Sequence, residues 1–397
     1  MSFLGSFGGI GRVGGAVLRH RLIAATGGTA AAVIVAGCAF AATSGSGQEN
    51  LTNTGDSKPI ASAAPLRLLS VSPTGGTQNA NGADPITLKF SSSLSPSTPL
   101  PTISPKTAGS WNVSGATATF TPSSGFLPDT KITLTIPAGI TGAAADSLKT
   151  ASSVTFTTGS YSTLRLQQLL SQLGYLPLTW TASATGSASP APAGVNEQVS
   201  DAYAPPAGTF TFQSGYPTQL TSQWEVGQNN ILDVGAIRAF ESVQGLAMDG
   251  VAGPEVWSHL LTAAAKNETN PNGYTYALAT QGSSNETLQV WHNGTRILDS
   301  PANTGVAGAG TADGTFPVYE RLQFQVMKGT NPDGSSYADP VYWISYFNGG
   351  DAVHGFSRAS YGFYQSDGCV ELPLTTAKDI WPSLTYGTLV TVTGPEA

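Results

Sequence analysis

HGFSRASYGFYQSDGCVEL, running from His354 to Leu372, holds one histidine and one cysteine, each beside a glycine: His354-Gly355 and Gly368-Cys369. Fifteen positions separate the two. That is room for a strand, a turn and a second strand to bring the side chains face to face. A cysteine needs a nearby base or a positive field to become a thiolate, and an imidazole is the usual supplier. The plainer alternative is Cys369 as a small buried hydrophobe.

Working outward, the cysteine count sharpens the choice. The chain has two, and Cys38 belongs to an N-terminal targeting segment, so the body carries a single thiol. Residues 1–42 read as an export signal, with Arg12, Arg19 and Arg21 ahead of an apolar run from Leu22 to Ala42. An unpaired thiol in an exported protein is open to oxidation and cross-linking, so its presence calls for a use. Val35-Ala-Gly-Cys38 resembles the lipobox of bacterial lipoproteins, where the cysteine is acylated after cleavage. The alternative is an uncleaved anchor of about 20 residues. Both readings expect a body in the cell envelope, outside the cytoplasm and tethered to the membrane through its N-terminus. Residues 43–64 follow as a polar, Gly/Ser-rich linker.

Length and composition favour several mostly-β domains. The 397 residues exceed one ordinary core, and 47 Gly with 26 Pro suit short strands and turns over long surface helices. A net charge of −7 and a pI near 5.0 exclude the basic stripe that a nucleic-acid partner demands.

From 65 to 159, short runs with apolar residues at every second position (Leu66–Val71, Ile86–Phe90, Ala116–Phe120, Lys131–Ile136, Val154–Thr157) predict an antiparallel β-sandwich. The segment also resembles bacterial Ig-like modules, most clearly at Phe126-Leu-Pro-Asp-Thr-Lys-Ile-Thr-Leu134, and it carries no histidine or cysteine. From 160 to 268 the spacing turns helical. Leu166, Leu169, Leu170 and Leu173 share one face, a second helix covers about Ile231–Val243, and Pro254 opens a third with Val256, Trp257, Leu260 and Leu261. This pattern resembles the three-helix peptidoglycan-binding type 1 module, with a long insertion at 181–230 in place of a short link. A packing adaptor for the next domain is the competing role. From 272 to 395, strand patterns return as a mixed, mainly-β domain with one short helix near Thr375–Trp381. Gly308-Ala-Gly310 lacks both the full glycine spacing and a following helix, which excludes a nucleotide loop.

Of four histidines, His20 is in the signal, His259 on a helix and His292 beside a hairpin turn, which leaves His354 as the base for Cys369. A thiolate paired with an imidazole suits acyl transfer through a thioester. Backbone N–H groups at the Gly368-Cys369 turn can stabilise the oxyanion. With one body cysteine and no H-E-x-x-H pattern, neither a thiol–metal cluster nor a cofactor is expected.

Here a second resemblance enters. The domain from about Tyr274 to Thr393 is similar to the L,D-transpeptidase catalytic domain (YkuD family). The matching stretches are Val353-His354-Gly355, Ser366-Asp367-Gly368-Cys369-Val370-Glu371-Leu372, Asn303-Thr-Gly305, Asp313-Gly-Thr-Phe-Pro-Val318 and Tyr386-Gly-Thr-Leu-Val390. The resemblance implies Cys369 as nucleophile, His354 as proton acceptor and donor, and Gly368 in the oxyanion hole. It implies attack on the bond before the terminal D-Ala of a peptidoglycan stem tetrapeptide, transfer to an acceptor amine as a 3→3 cross-link, and a carbapenem adduct on the thiol. Two positions depart: Asp367 stands where the family has histidine, and Glu371 where it has arginine or asparagine. A carboxylate beside a thiol disfavours the thiolate and also holds an imidazolium, so both consequences stay open. Ser366 and Asp367 are expected to orient the loop, and Gly355, Tyr342, Trp343 and Tyr361 to contact substrate. Two other readings remain: an L,D-carboxypeptidase that uses water as acceptor, and a wall-binding lipoprotein that has lost catalysis.

Overall fold

A computed structural model describes residues 64–183, 195–282 and 284–395. The expected export segment with Cys38, and the linker up to its last residue, lie outside them. Among the described residues no helix is long and apolar enough to cross a membrane.

The first domain follows from period-two burial. Its strands are β1 (Leu68–Ser72), β2 (Ile86–Phe90), β3 (Thr102–Ser104), β4 (Gly109–Ser114), β5 (Thr117–Pro122), β6 (Lys131–Ile136) and β7 (Ser152–Thr157). They form two sheets, β1-β2-β5-β4 and β3-β6-β7. Ile86, Leu88 and Phe90 face Ile132, Leu134 and Ile136 across one core, closed by Phe120, Phe126 and Phe156. β3 and β4 were not expected. Trp111 and Val113 of β4 are only partly buried and its other residues are exposed, so its sequence carries little alternation.

The next segment departs from a three-helix module. It contains α1 (Thr163–Gln172), β8 (Leu178–Ala182), α2 (Val195–Tyr203), β9 (Gly208–Phe212), α3 (Thr218–Thr221), α4 (Ile231–Gln244) and α5 (Pro254–Lys266). The expected helices correspond to α1, α4 and α5, while the 181–230 stretch adds α2, α3 and most of the β8–β9 hairpin. α4 starts at an Asn230–Asp233 capping box and ends at Gly245 in the left-handed region. Such an N-cap contributes about 1 kcal/mol.

The third domain contains β10 (Thr275–Thr280), β11 (Thr287–His292), β12 (Thr295–Pro301), β13 (Gly314–Pro317), β14 (Glu320–Thr330), β15 (Ser336–Asn348), β16 (Asp351–Gly355), β17 (Val370–Leu372), α6 (Leu374–Ile380) and β18 (Leu389–Thr393). Its sheets are β12-β11-β10-β18-β13 and β14-β15-β16-β17. β10 and β18 pair in parallel and are covered on both faces. Tyr276, Leu278 and Leu389 join the helical core with Leu232 and Ile237. Ala277, Ala279, Val390 and Val392 join the inner core with Val353, Val370 and Leu372. Two-sided burial explains why these strands read as nearly unbroken apolar runs.

Close approach of α4 to this sheet depends on Gly235. A Cβ there would sit 2.7 Å from the Gly387 carbonyl oxygen and 2.8 Å from Leu389 Cδ2. Glycine inside a helix costs up to about 1 kcal/mol, which the contact offsets. The helical segment and the third domain therefore share a core, a property the adaptor reading anticipates.

Candidate active site

Two short parallel strands build the site. β16 and β17 pair as Val353↔Val370, His354↔Glu371 and Gly355↔Leu372. Because side chains alternate along a strand, Val353, Val370 and Leu372 enter the inner core while His354 and Glu371 point the other way. Cys369, one step before β17, keeps that parity and packs with Ala352, Val341, Ile344 and Tyr346. His354, Cys369, Glu371 and Ser366 thus line one cleft of about 320 Å³. Met327, Tyr337, Asp339 and Val341 of the β14–β15 hairpin line the same cleft, as do Phe356, Arg358, Gln365 and Asp367.

The turn before Cys369 is braced from several directions. Ser366 Oγ donates to the Cys369 carbonyl at 2.6 Å, and the Ser366 amide donates to the Thr304 carbonyl at 2.9 Å. Glu286, 1% exposed, accepts from the Thr304 amide at 2.6 Å and from Thr304 Oγ1 at 2.7 Å. Gly368 has φ +104°, and a Cβ there would lie 2.7 Å from Asp351 Oδ1. Any side chain would suffer both the strained φ and that clash.

Electrostatics set the resting protonation. Burial is the main force that pushes the Cys369 thiol up to about 12; the Ala352 backbone hydrogen bond opposes it, and Asp351, Glu371 and Asp367 add to it. Burial likewise lowers the pKa of His354, while Glu371 and hydrogen bonding to the Gly355 backbone oppose that shift. Both shifts favour the neutral forms at rest, a thiol and an imidazole. The thiol points toward the Gly350 carbonyl oxygen at 3.8 Å. His354 Nδ1 is buried with no hydrogen-bond partner, and the residue lines the cleft. His259 and His292, by contrast, are engaged with Gln244 at 3.3 Å and Thr275 at 3.0 Å.

Several residues expected at the site lie elsewhere. Tyr342 is on the outward face of the hairpin, where its ring stands 5.1 Å from Phe324. Trp343 packs on Trp381 at 5.6 Å. Gly355 faces α6, and a Cβ there would meet Ala377 Cβ at 2.9 Å. Tyr361 does not line the cleft; its hydroxyl accepts from the Arg358 amide at 3.1 Å and donates to the Phe356 carbonyl at 2.5 Å. Strand parity and the turn after β16 decide these placements, and aromatic identity alone signals neither.

Sequence reasoning gave no role to Arg358. Its guanidinium makes two hydrogen bonds to Glu371, Nε to Oε2 at 2.9 Å and Nη2 to Oε1 at 2.8 Å. Asn303 Nδ2 adds a third at 3.1 Å. The carboxylate that departs from the family pattern is therefore paired. Asp367, on the cleft wall, has its pKa raised chiefly by desolvation and lowered in part by Arg358. No group of three or more His, Cys, Asp or Glu side chains suited to a metal ion occurs among the described residues.

Residues 276–392 match the family model of the L,D-transpeptidase catalytic domain (YkuD), and residues 62–158 match that of a bacterial Ig-like domain. The protein is thus a mostly-β, multidomain chain with an Ig-like domain and a YkuD-type catalytic domain. Among solved structures, an L,D-transpeptidase from Mycobacterium smegmatis is 14% identical, covering 83% of this chain and 100% of its own, at a TM-score of 0.28. L,D-transpeptidase 3 from Mycobacterium tuberculosis, in complex with a faropenem-derived adduct, is 12% identical, covering 82% and 98% at 0.28. The catalytic domain of the E. faecium L,D-transpeptidase is 25% identical, covering 30% and 96% at 0.28. The comparison with curated proteins gives no match.

Proposed function

We propose that this chain is a peptidoglycan L,D-transpeptidase working in the cell envelope with Cys369 as nucleophile. The observation that carries the reading is the β16–β17 register, which sets His354 and Cys369 on one face of one cleft and leaves His354 Nδ1 open. In the first half-reaction the Cys369 proton moves to the imidazole as Sγ attacks the carbonyl preceding the terminal D-Ala. The thioester forms, the C–N bond breaks, and the imidazolium returns its proton to the departing D-Ala amine. Backbone N–H groups at Gly368 and Cys369 would steady the oxyanion. In the second half-reaction an acceptor amine attacks the thioester, gives its proton to His354, and regenerates the thiol.

A neutral imidazole is the form that can accept the proton, so the lowered pKa of His354 suits a base at neutral pH. Pairing of Glu371 with Arg358 speaks against the reading that this departure abolished catalysis. The apolar faces of the helical segment are spent against β10, β11 and β18, which supports a packing role ahead of glycan binding. Lipidation at Cys38 and the membrane tether belong to the same proposal.

The test is acylation by a carbapenem, whose strained β-lactam carbonyl reports a reactive thiol. Intact mass should show one adduct on the wild type and none on Cys369→Ala. An unmodified wild type, or equal adducts on both, removes the nucleophile. Muropeptide analysis then separates transfer from hydrolysis: 3→3 dimers support the transpeptidase, and shortened stems without dimers favour the carboxypeptidase.

A further inference from the structure

Glu371 and Arg358 do more than cancel charge at the edge of the cleft. Glu371 is the register partner of His354, is 4% exposed, and lies across the narrow parallel pair from it. Its backbone is pinned to Asn303 in both directions, with N–H···O distances of 3.0 and 2.9 Å. Asn303, itself fully buried, turns Nδ2 to the Glu371 carboxylate at 3.1 Å and accepts from the Gly362 amide at 3.1 Å. Arg358 closes the arrangement. It is the fourth residue after His354, sits 4.6 Å over the Phe356 ring, and donates to the Gln365 carbonyl at 3.1 Å. Three segments therefore converge on one carboxylate: the strand after the nucleophile, the turn after the histidine, and the loop after β12.

We infer that Glu371 and Arg358, with Asn303, form a charge-compensated brace that positions His354. The carboxylate is fixed on the sheet face that carries the ring, and the guanidinium balances its field there. Both are positioning residues that act through the histidine. The field at His354 supports this, because Glu371 favours the protonated ring and Arg358 disfavours it. Asp339, on β15, is the other carboxylate acting on the ring, and Asp367 and Cys369 lie along the same cleft. Opposite charges near the ring act on it in opposite directions, and removing each in turn exposes the balance they hold.

The inference rests on His354 as the base, but its test does not use turnover. The His354 imidazole is titrated by NMR in the full chain, assigned by its disappearance in His354→Gln. In Glu371→Gln, which keeps shape and most hydrogen bonds, the midpoint should fall by about half a pH unit or more. In Arg358→Gln it should rise by a similar amount, and the double variant should return toward wild type. Arg358→Lys, which keeps the charge and loses the paired contact, should titrate near wild type. Shifts in the same direction, or an unmoved midpoint in folded Glu371→Gln, overturn the brace. Glu371→Gln decides the matter alone if Arg358→Gln does not fold. A wild type without a carbapenem adduct would sink the catalytic reading instead, so the two failures are distinguishable.

Discussion

Cys369 is a buried thiol surrounded by carboxylates, and that governs its reactivity. Burial first, then Asp351, Glu371 and Asp367, hold its pKa near 12. A pKa this high leaves little thiolate at neutral pH, and in the proposed mechanism His354 takes the proton as the bond forms. Alkylation by iodoacetamide should therefore keep rising with pH beyond 9, with no plateau near the ordinary thiol pKa of about 8.5. Asp351→Asn removes a negative charge near the thiol and should speed alkylation several-fold at pH 8. A plateau below pH 9, or slower alkylation in a folded Asp351→Asn, would contradict this account. The candidate nucleophile was legible in the sequence because one thiol stood alone in the body. Its resting protonation was not legible, because desolvation belongs to the packed site.

Elements carry the next lesson. α4 can approach β18 only because position 235 has no side chain, and the clash a Cβ would meet is with backbone, the Gly387 oxygen at 2.7 Å. Gly235→Ala improves helix propensity by up to about 1 kcal/mol yet should destabilise by about 1–3 kcal/mol net, through overpacking. Calorimetry should show a Tm lowered by several degrees. A raised Tm would mean that the helix moves away at no cost. Periodicity located α1, α4 and α5 within a few residues. It did not reveal α2, α3 or the β8–β9 hairpin, whose segment is rich in Ala, Pro, Ser and Gly and whose few apolar residues, such as Val199 and Leu220, pack on partners remote in sequence. The aromatic residues expected at the cleft failed for a similar reason. Strand spacing fixes which residues share a face, but only sheet packing decides which face is the cleft.

At the scale of the whole molecule, the helical core ties the Ig-like side to the catalytic sheet and contains two buried carboxylates. Burial raises Asp233 to about 6 and Glu241 to about 7, despite hydrogen bonds from Gln167, Asn230 and Gly250. Raised folded values mean that the folded chain holds protons the unfolded chain has already released between about pH 4.5 and 7. Stability should then fall as pH rises through that window. Thermal unfolding at pH 5 should occur several degrees above that at pH 7.5, and Glu241→Gln should flatten the slope. A Tm that rises over the same interval would refute the assignment.

The sequence by itself determined the β character of the first and third domains and singled out one histidine and one cysteine that line one cleft. Those depend on local periodicity, glycine punctuation and residue scarcity, all written along the chain. Only the tertiary structure decided which side chains face the cleft, that the helical segment shares its core with the catalytic sheet, and that Glu371 is answered by Arg358. Strand register and burial bring those groups together across loops, and no spacing along the chain encodes the distance between a carboxylate and the guanidinium that balances it. The stretch from His354 to Leu372 carried both members of that pair in plain view, and only the fold made them partners.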